Sequence, residues 1–212
     1  MKNIVVMISG NGSNLQQIID AIEKGKINGK VVGVVSNKEN AYGLERAKQV
    51  GISSFIFTRK NFDSNLAMDM AIADQIEQLK ADVIILAGYM KILTPEFTQR
   101  FVGKIVNIHP SLLPKYPGLN THQRAMEAGD TEHGMTIHFV NEKVDGGAII
   151  LQAKVPIYPE DNIDDVADRV IEQEHRCYPL VVKWLCAERL YFKDGYAYLD
   201  DQLLPEQGYA LD

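Results

Sequence analysis

The sequence predicts an α/β protein: a doubly wound, Rossmann-like, mostly parallel sheet, with an added antiparallel strand pair and a late C-terminal helix and hairpin. Three observations predict it. Five short, β-rich apolar runs occupy the first half, separated by segments with apolar residues at three- and four-residue spacing. The runs are continuous rather than alternating, which suits strands covered on both faces, as in a parallel sheet. After Pro110 the pattern changes to two strands around a turn-rich loop, followed by one long amphipathic segment.

The first run, "NIVVMI" (3–8), stops at Ser9-Gly10. It is too short for a signal-peptide core or a membrane span, so it reads as the first strand. "SNLQQIIDAIEKG" follows as a crossover helix with a C-terminal glycine stop. "VVGVVS" (31–36), the helix "AYGLERAKQVG" with its own glycine stop, and "SSFIF" (53–57) repeat the unit. "FDSNLAMDMAIADQIEQLKA" then crosses to "DVIILA" (82–87), and "KIVNI" (104–108) closes the first half.

Beyond Pro110, "GMTIHFV" (134–140) and "AIILQAKVPI" (148–157) flank "NEKVDGG" and read as a strand pair. From Ile163 to about Leu185, Val166, Val170, Cys177 and Val181 form one helical stripe, with a kink expected at Pro179. "LYFKDGYAYLD" is a hairpin turning at Asp194-Gly195.

A chain of 212 residues, 46% hydrophobic and without linker composition, is expected to form one domain over 1–212. With 28 acids against 22 bases the net charge is −6, which argues against nucleic-acid or anionic-membrane partners but leaves room for a local anion site. The two cysteines, Cys177 and Cys186, fall in one helix too far apart to bridge, so a reduced, cytoplasmic protein is expected.

"SGNGSNL" (9–15) links the first strand to the first helix. Gly10 and Gly12 permit a tight turn and close backbone approach, and Ser13 or Asn14 can cap the helix, so that free amides face an incoming anion. An ordinary glycine-rich turn has the same composition. The P-loop lysine is missing, and "SNKEN" after the second strand offers no clear ribose-binding acid, which disfavours a dinucleotide.

Asn107 and His109 stand two residues apart at a strand end, so both side chains point to one side, and Pro110 leaves His109 at the rim. Either residue alone reads as a turn former or a core histidine. Together they supply an amide donor for an oxyanion and a group that moves protons, the needs of acyl transfer. Asp145, in "VDGG", is ordinary turn chemistry by spacing; near His109 it would favour the imidazolium.

Glu174 falls on the apolar stripe of the late helix, where a carboxylate needs a buried partner or a ligand. His175, one position on, is expected at the surface. His122, His133 and His138 lack metal-ligand spacing, and no metal is expected. "LAGYMKIL" (86–93) ends the fourth strand, which in the doubly wound order lies beside the first, so its loop should face Gly12 to Asn14 across the crevice where ligands bind.

"ISGNGSNL", "LAGYMKIL", "NIHPSLLPKYPG", "EHGMTIHFV", "DGGAIILQ" and "QEHRCYPL" resemble, in order and spacing, the bacterial phosphoribosylglycinamide formyltransferases of purine biosynthesis. The resemblance covers essentially the whole chain. It implies formyl transfer from 10-formyltetrahydrofolate, as co-substrate, to the amine of glycinamide ribonucleotide. It also implies a phosphate-binding half over about 1–100 and a folate and catalytic half over about 101–212.

On this resemblance Asn107, His109 and Asp145 would be catalytic. Gly12, Ser13 and Asn14 would take the substrate phosphate. Ile171, Glu172, Gln173 and Glu174 would bind the rest of the ribonucleotide, with Glu174 on its sugar or glycinamide end. Folate would lie along Asn65, Met90, Lys91, Ile92 and Leu93, against Asn107, and along Asn141, Glu142, Lys143, Val144 and Asp145, with Thr136 and His138 in support. Asn65 and Lys91 stand where many family members carry arginine near the folate tail; lysine keeps the charge without the bidentate fork.

A formyltetrahydrofolate hydrolase would use the same three residues with water as nucleophile, but that family usually places a regulatory domain ahead of the catalytic one. Transfer to methionyl-tRNA fits the acidic chain poorly. A non-catalytic nucleotide-binding module is the alternative from another class. The partners expected are small molecules, with the chain a monomer or weak homodimer. Leu113-Pro114 is a candidate cis bond.

Overall fold

A computed structural model describes residues 1–210. The continuous apolar runs of the first half become β1 (Lys2–Ile8), β2 (Gly29–Ser36), β3 (Ser54–Ile56), β4 (Val83–Leu86) and β5 (Ile105–His109). The segments between them become α1 (Ser13–Glu23), α2 (Tyr42–Gln49), α3 (Asn65–Gln78) and α4 (Pro95–Arg100). Beyond Pro110 come α5 (Thr121–Glu127), β6 (Glu132–Phe139), β7 (Ile149–Pro156) and α6 (Ile163–Cys186). The chain then ends in β8 (Leu190–Lys193), β9 (Tyr196–Leu199), β10 (Gln202–Leu203) and β11 (Tyr209–Ala210).

The main sheet has the order β11-β7-β6-β5-β4-β1-β2-β3. Its pairs are parallel except β5–β6 and β6–β7, so β6 alone runs against the rest. As expected, β4 lies beside β1 and the added strand pair is antiparallel.

The two-residue period of the strands sorts the core onto two faces. Ile4, Val6 and Ile8 of β1 pack on one side with Leu15 and Ile18 of α1 and Val170, Cys177 and Val181 of α6. Val5 and Met7 pack on the other with Met68, Ile72 and Ile76 of α3 and Phe97 of α4. On β5, Val106 and Ile108 belong to the first side and Ile105 to the second, so Asn107 and His109 share the α3/α4 side.

The C-terminus is more than a hairpin. Asp194 and Gly195, both at positive φ, turn β8 into β9, and β10 adds a third antiparallel strand. The chain then returns to the main sheet, where β11 pairs parallel with β7. Trp184 of α6 packs edge-on against Tyr209 of β11, ring centroids 5.1 Å apart. Helix α6 runs 24 residues through Pro179, opened by a capping box between Asn162 and Asp165. Leu113-Pro114 is cis.

Candidate active site

The site grows from the register of β5 against β6. Asn107 lies opposite His138 and His109 opposite Thr136, and directly opposed residues project to the same face. Four polar side chains therefore stand together on the α3/α4 side of the sheet, beyond the helices that cover it.

The hydrogen bonds of His138 orient Asn107. His138 Nδ1 donates to its neighbour's carbonyl at Phe139, 2.9 Å away, which leaves Nε2 as an acceptor for Asn107 Nδ2 at 3.3 Å. Burial holds His138 below the ordinary histidine range, offset in part by that carbonyl bond and by Asp145. The 3.8 Å approach of its Nε2 to Asp145 is thus between a neutral ring and a carboxylate, not an ion pair. With the amide nitrogen of Asn107 fixed toward His138, its second N–H is free to meet an oxygen in the crevice.

His109 is held from both ends. Nε2 donates to the Tyr116 carbonyl at 2.8 Å, and Nδ1 lies 3.5 Å from Asp145 Oδ2. Asp145 sits at φ 51, a left-handed conformation that aspartate tolerates, and its carboxylate also accepts from Gly118 N–H at 2.9 Å. The turn chemistry of Asp-Gly-Gly and the contact with His109 are one arrangement.

The loop after His109 is pinned from below. Thr136 Oγ1 donates to Ser111 O and accepts from Leu113 N, and Gln152 Nε2 donates to both Thr136 Oγ1 and Leu113 O. Tyr116 OH donates to Asp130, and His122 and His133 share a 3.0 Å ring-to-ring hydrogen bond. Among the described residues no three His, Cys, Asp or Glu side chains stand close enough to share a metal ion.

Across the crevice, Gly12 begins α1 at φ 73, and a Cβ there would meet Gly43 Cα at 2.7 Å. Only glycine fits both the conformation and the approach. The expectation that Ser13 or Asn14 caps the helix is corrected: Gly12 takes the cap position and has no side chain to offer, while Asn14, already inside the first turn, points inward and donates to Glu174 Oε2 at 2.9 Å. The first-turn amides are thereby left open to an anion. Arg46 ties the loop from behind, donating to both the carbonyl and the side chain of Asn11.

Burial pushes the Glu174 carboxyl above its ordinary range, with the Asn14 hydrogen bond pulling partly back. Asn14 Oδ1 is buried without a protein partner. Of the other late-helix residues, Gln173 is half-buried while Ile171 and Glu172 are exposed, so the structure joins only Glu174 to the glycine loop. His175 is not at the surface as expected: it is half-buried, its Nε2 enclosed without a partner, and burial and nearby Arg46 lower its pKa.

The loop after β4 faces this region. Ser9 Oγ accepts from Met90 N at 2.7 Å, which joins it to the end of β1. Met90 and Ile92 are 65% and 71% exposed, whereas Leu93 is buried in the core. Lys91 does not offer a free charge: its ammonium pairs with Asp69 at 2.6 Å. Asn65 is exposed one helical turn before Asp69. Asn141, Glu142, Lys143 and Val144 form an exposed turn, in which Asn141 Oδ1 accepts from Lys143 N and Glu142 accepts from Gln99.

Sequence reasoning missed Asp69, Gln152 and Tyr178. Tyr178, fully buried on α6, donates to the carbonyls of Leu86 and Val106 and so ties the end of β4 to β5 just before Asn107. A signal existed for Asp69, an acid among Met68, Ile72 and Ala73 at helical spacing, the pattern that drew notice to Glu174.

The arrangement can therefore present an amide N–H, an imidazole and a carboxylate to one reacting centre, with the uncapped amides of the α1 start across from it. The formyl transferase family model matches residues 2–182. The phosphoribosylglycinamide formyltransferase of Haemophilus influenzae is 64% identical over 210 residues, covering 99% of both chains. That of Escherichia coli is 53% identical over the same span, again 99% of both. The solved structure of the Coxiella burnetii phosphoribosylglycinamide formyltransferase superposes with a TM-score of 0.96 at 42% identity, covering 100% of this chain and 99% of the other.

Proposed function

The chain belongs to the formyl transferase family, and from that premise we propose that it transfers a formyl group from 10-formyltetrahydrofolate to the amine of N1-(5-phosphoribosyl)glycinamide in purine biosynthesis. We read residues 1–212 as one catalytic unit acting in the cytoplasm on small molecules. Support for the location comes from the two buried free cysteines. No helix among the described residues is long and apolar enough to cross a membrane.

The observation that carries the reading is the meeting of Asn107, His109 and Asp145 on one side of the sheet. In the proposed reaction the glycinamide amine attacks the formyl carbon and forms a carbon–nitrogen bond. The free N–H of Asn107 and the imidazolium of His109 stabilise the oxyanion. The attacking nitrogen gives up a proton, the folate N10 takes one, and the bond from carbon to N10 breaks. Asp145 favours the charged form of His109 and carries the proton between the nitrogens through water. Formylated amide and tetrahydrofolate leave.

Gly12, Ser13 and Asn14 take the phosphate on open amides of α1, and Glu174 receives the sugar or glycinamide end, with Ile171, Glu172 and Gln173 flanking it. Folate lies between Asn65 with the 90–93 loop and the 141–145 turn, against the exposed Met90 and Ile92.

Purified protein mixed with 10-formyltetrahydrofolate, with and without the ribonucleotide, tests the reading through the optical signal of tetrahydrofolate. Turnover that requires the ribonucleotide supports transfer. Equal turnover without it would mean hydrolysis, and none in either would leave a binding module.

A further inference from the structure

The carboxylate of Asp69, on α3, is completely buried, and both of its oxygens are engaged by the loop that follows β4. Oδ1 accepts from Lys91 Nζ at 2.6 Å and Oδ2 from Thr94 N–H at 2.8 Å, while Lys91 Nζ also reaches the Ile92 carbonyl at 3.3 Å. On the opposite side Met90 N–H donates to Ser9 Oγ. The loop backbone is therefore tied at Met90 and Thr94 and its lysine at Asp69, while the apolar side chains of Met90 and Ile92 are left exposed to solvent.

Burying an ion pair costs desolvation that its mutual attraction only roughly offsets, and apolar replacements of similar shape are often neutral or stabilising. Fold stability alone therefore gives little reason for a charge at Asp69, surrounded as it is by Met68, Ile72 and Ala73. What the charge does supply is geometry: one carboxylate fixes a flexible lysine and a backbone amide three residues apart.

We propose that Asp69 is a positioning residue for the formyl donor, shaping the 90–94 loop through Lys91 and Thr94 so that Met90 and Ile92 present an apolar wall to the folate ring. The ammonium of Lys91 acts inward, on Asp69, and serves the donor by shape. This rests on the reading of the crevice as a folate site.

Three variants test it: Asp69→Asn, Lys91→Gln, and the pair together, which restores a neutral hydrogen-bonded couple. Each is assayed for donor and acceptor KM, kcat and thermal midpoint, and titrated calorimetrically with tetrahydrofolate, a probe that needs no turnover. The expected result is a rise of about tenfold in donor KM and in tetrahydrofolate Kd for each single variant, with acceptor KM unmoved. The double variant should return to within about threefold of the parent.

An unchanged donor KM and tetrahydrofolate Kd in Asp69→Asn, whatever its thermal midpoint, would overturn the proposal and leave the transferase reading intact. A double variant no better than the worse single would overturn it too, and would assign the Lys91 ammonium directly to the donor. Parent protein that binds tetrahydrofolate but fails to turn over with the ribonucleotide would defeat the transferase reading alone, since the titrations still decide the role of Asp69. Parent protein that binds no tetrahydrofolate would defeat both.

Discussion

Asp145 Oδ2 stands 3.5 Å from Nδ1 of His109, while the other ring nitrogen of His109 donates to the Tyr116 carbonyl at 2.8 Å. A carbonyl only accepts, so Nε2 carries a proton, and a second proton on Nδ1 would face a carboxylate. The ring is thus clamped between a carbonyl and a carboxylate, and its position and orientation are fixed before any ligand arrives.

Removing that relationship should cost turnover rather than binding. His109→Ala is expected to lower kcat by about 10²–10⁴-fold, with ligand binding largely kept. Asp145→Asn keeps an acceptor for Gly118 N–H and so separates the charge from the loop tether. A kcat loss with an unchanged thermal midpoint is the expected result; steady-state kinetics and calorimetry together check it.

Glu174→Gln should trade binding for stability. Because burial raises the folded-state pKa of Glu174, the folded protein holds this proton more tightly than the unfolded chain does. Its contribution to stability is therefore full below the unfolded value and is lost as pH rises through the folded one. The glutamine variant removes the loss and keeps an acceptor for Asn14, so it should be more stable than the parent at pH 7, with the difference shrinking as pH falls. Acceptor KM should rise about tenfold or more. Urea unfolding and kinetics measure the two effects.

His133 gives the opposite slope. Burial, together with His122, lowers its pKa to about 4, against a smaller raising effect from Asp130. The unfolded chain then binds the proton first as pH falls from about 6.5. Stability present above that value is lost toward pH 4, by at most about 1.4 kcal/mol per pH unit for one proton. His133→Gln should flatten the fall in urea midpoint between pH 7 and pH 5; an unchanged slope would assign the acid sensitivity elsewhere.

Gly12→Ala is expected to destabilise by about 1–3 kcal/mol, since it combines a left-handed backbone with a Cβ facing Gly43 Cα at 2.7 Å. The helix start would shift, so acceptor binding should weaken beyond what the stability loss predicts. The comparison needs acceptor KM measured well below the melting temperature.

How legible each part was depended on the range of the interaction behind it. The strands and crossover helices announce themselves because period and burial are local properties of a run such as "VVGVVS". Asn107 and His109 were legible as a pair because two residues on one strand must share a face. That Asp145 reaches His109 depends on a contact 36 positions away, and spacing carries no such information. The inward turn of Asn14 was hidden for the same reason, its partner lying 160 residues on. β10 and β11 are two residues each, too short to show a period.

The edge-on packing of Trp184 against Tyr209 makes the chain its own reporter. Trp184 is the sole tryptophan, and ten residues of helix, about 15 Å, separate it from Glu174. Its emission therefore watches the last strand dock onto β7 rather than the chemistry at the crevice. A fluorescence-detected unfolding curve reads the seam between α6 and β11, and a curve that precedes loss of activity times the release of that seam ahead of the site.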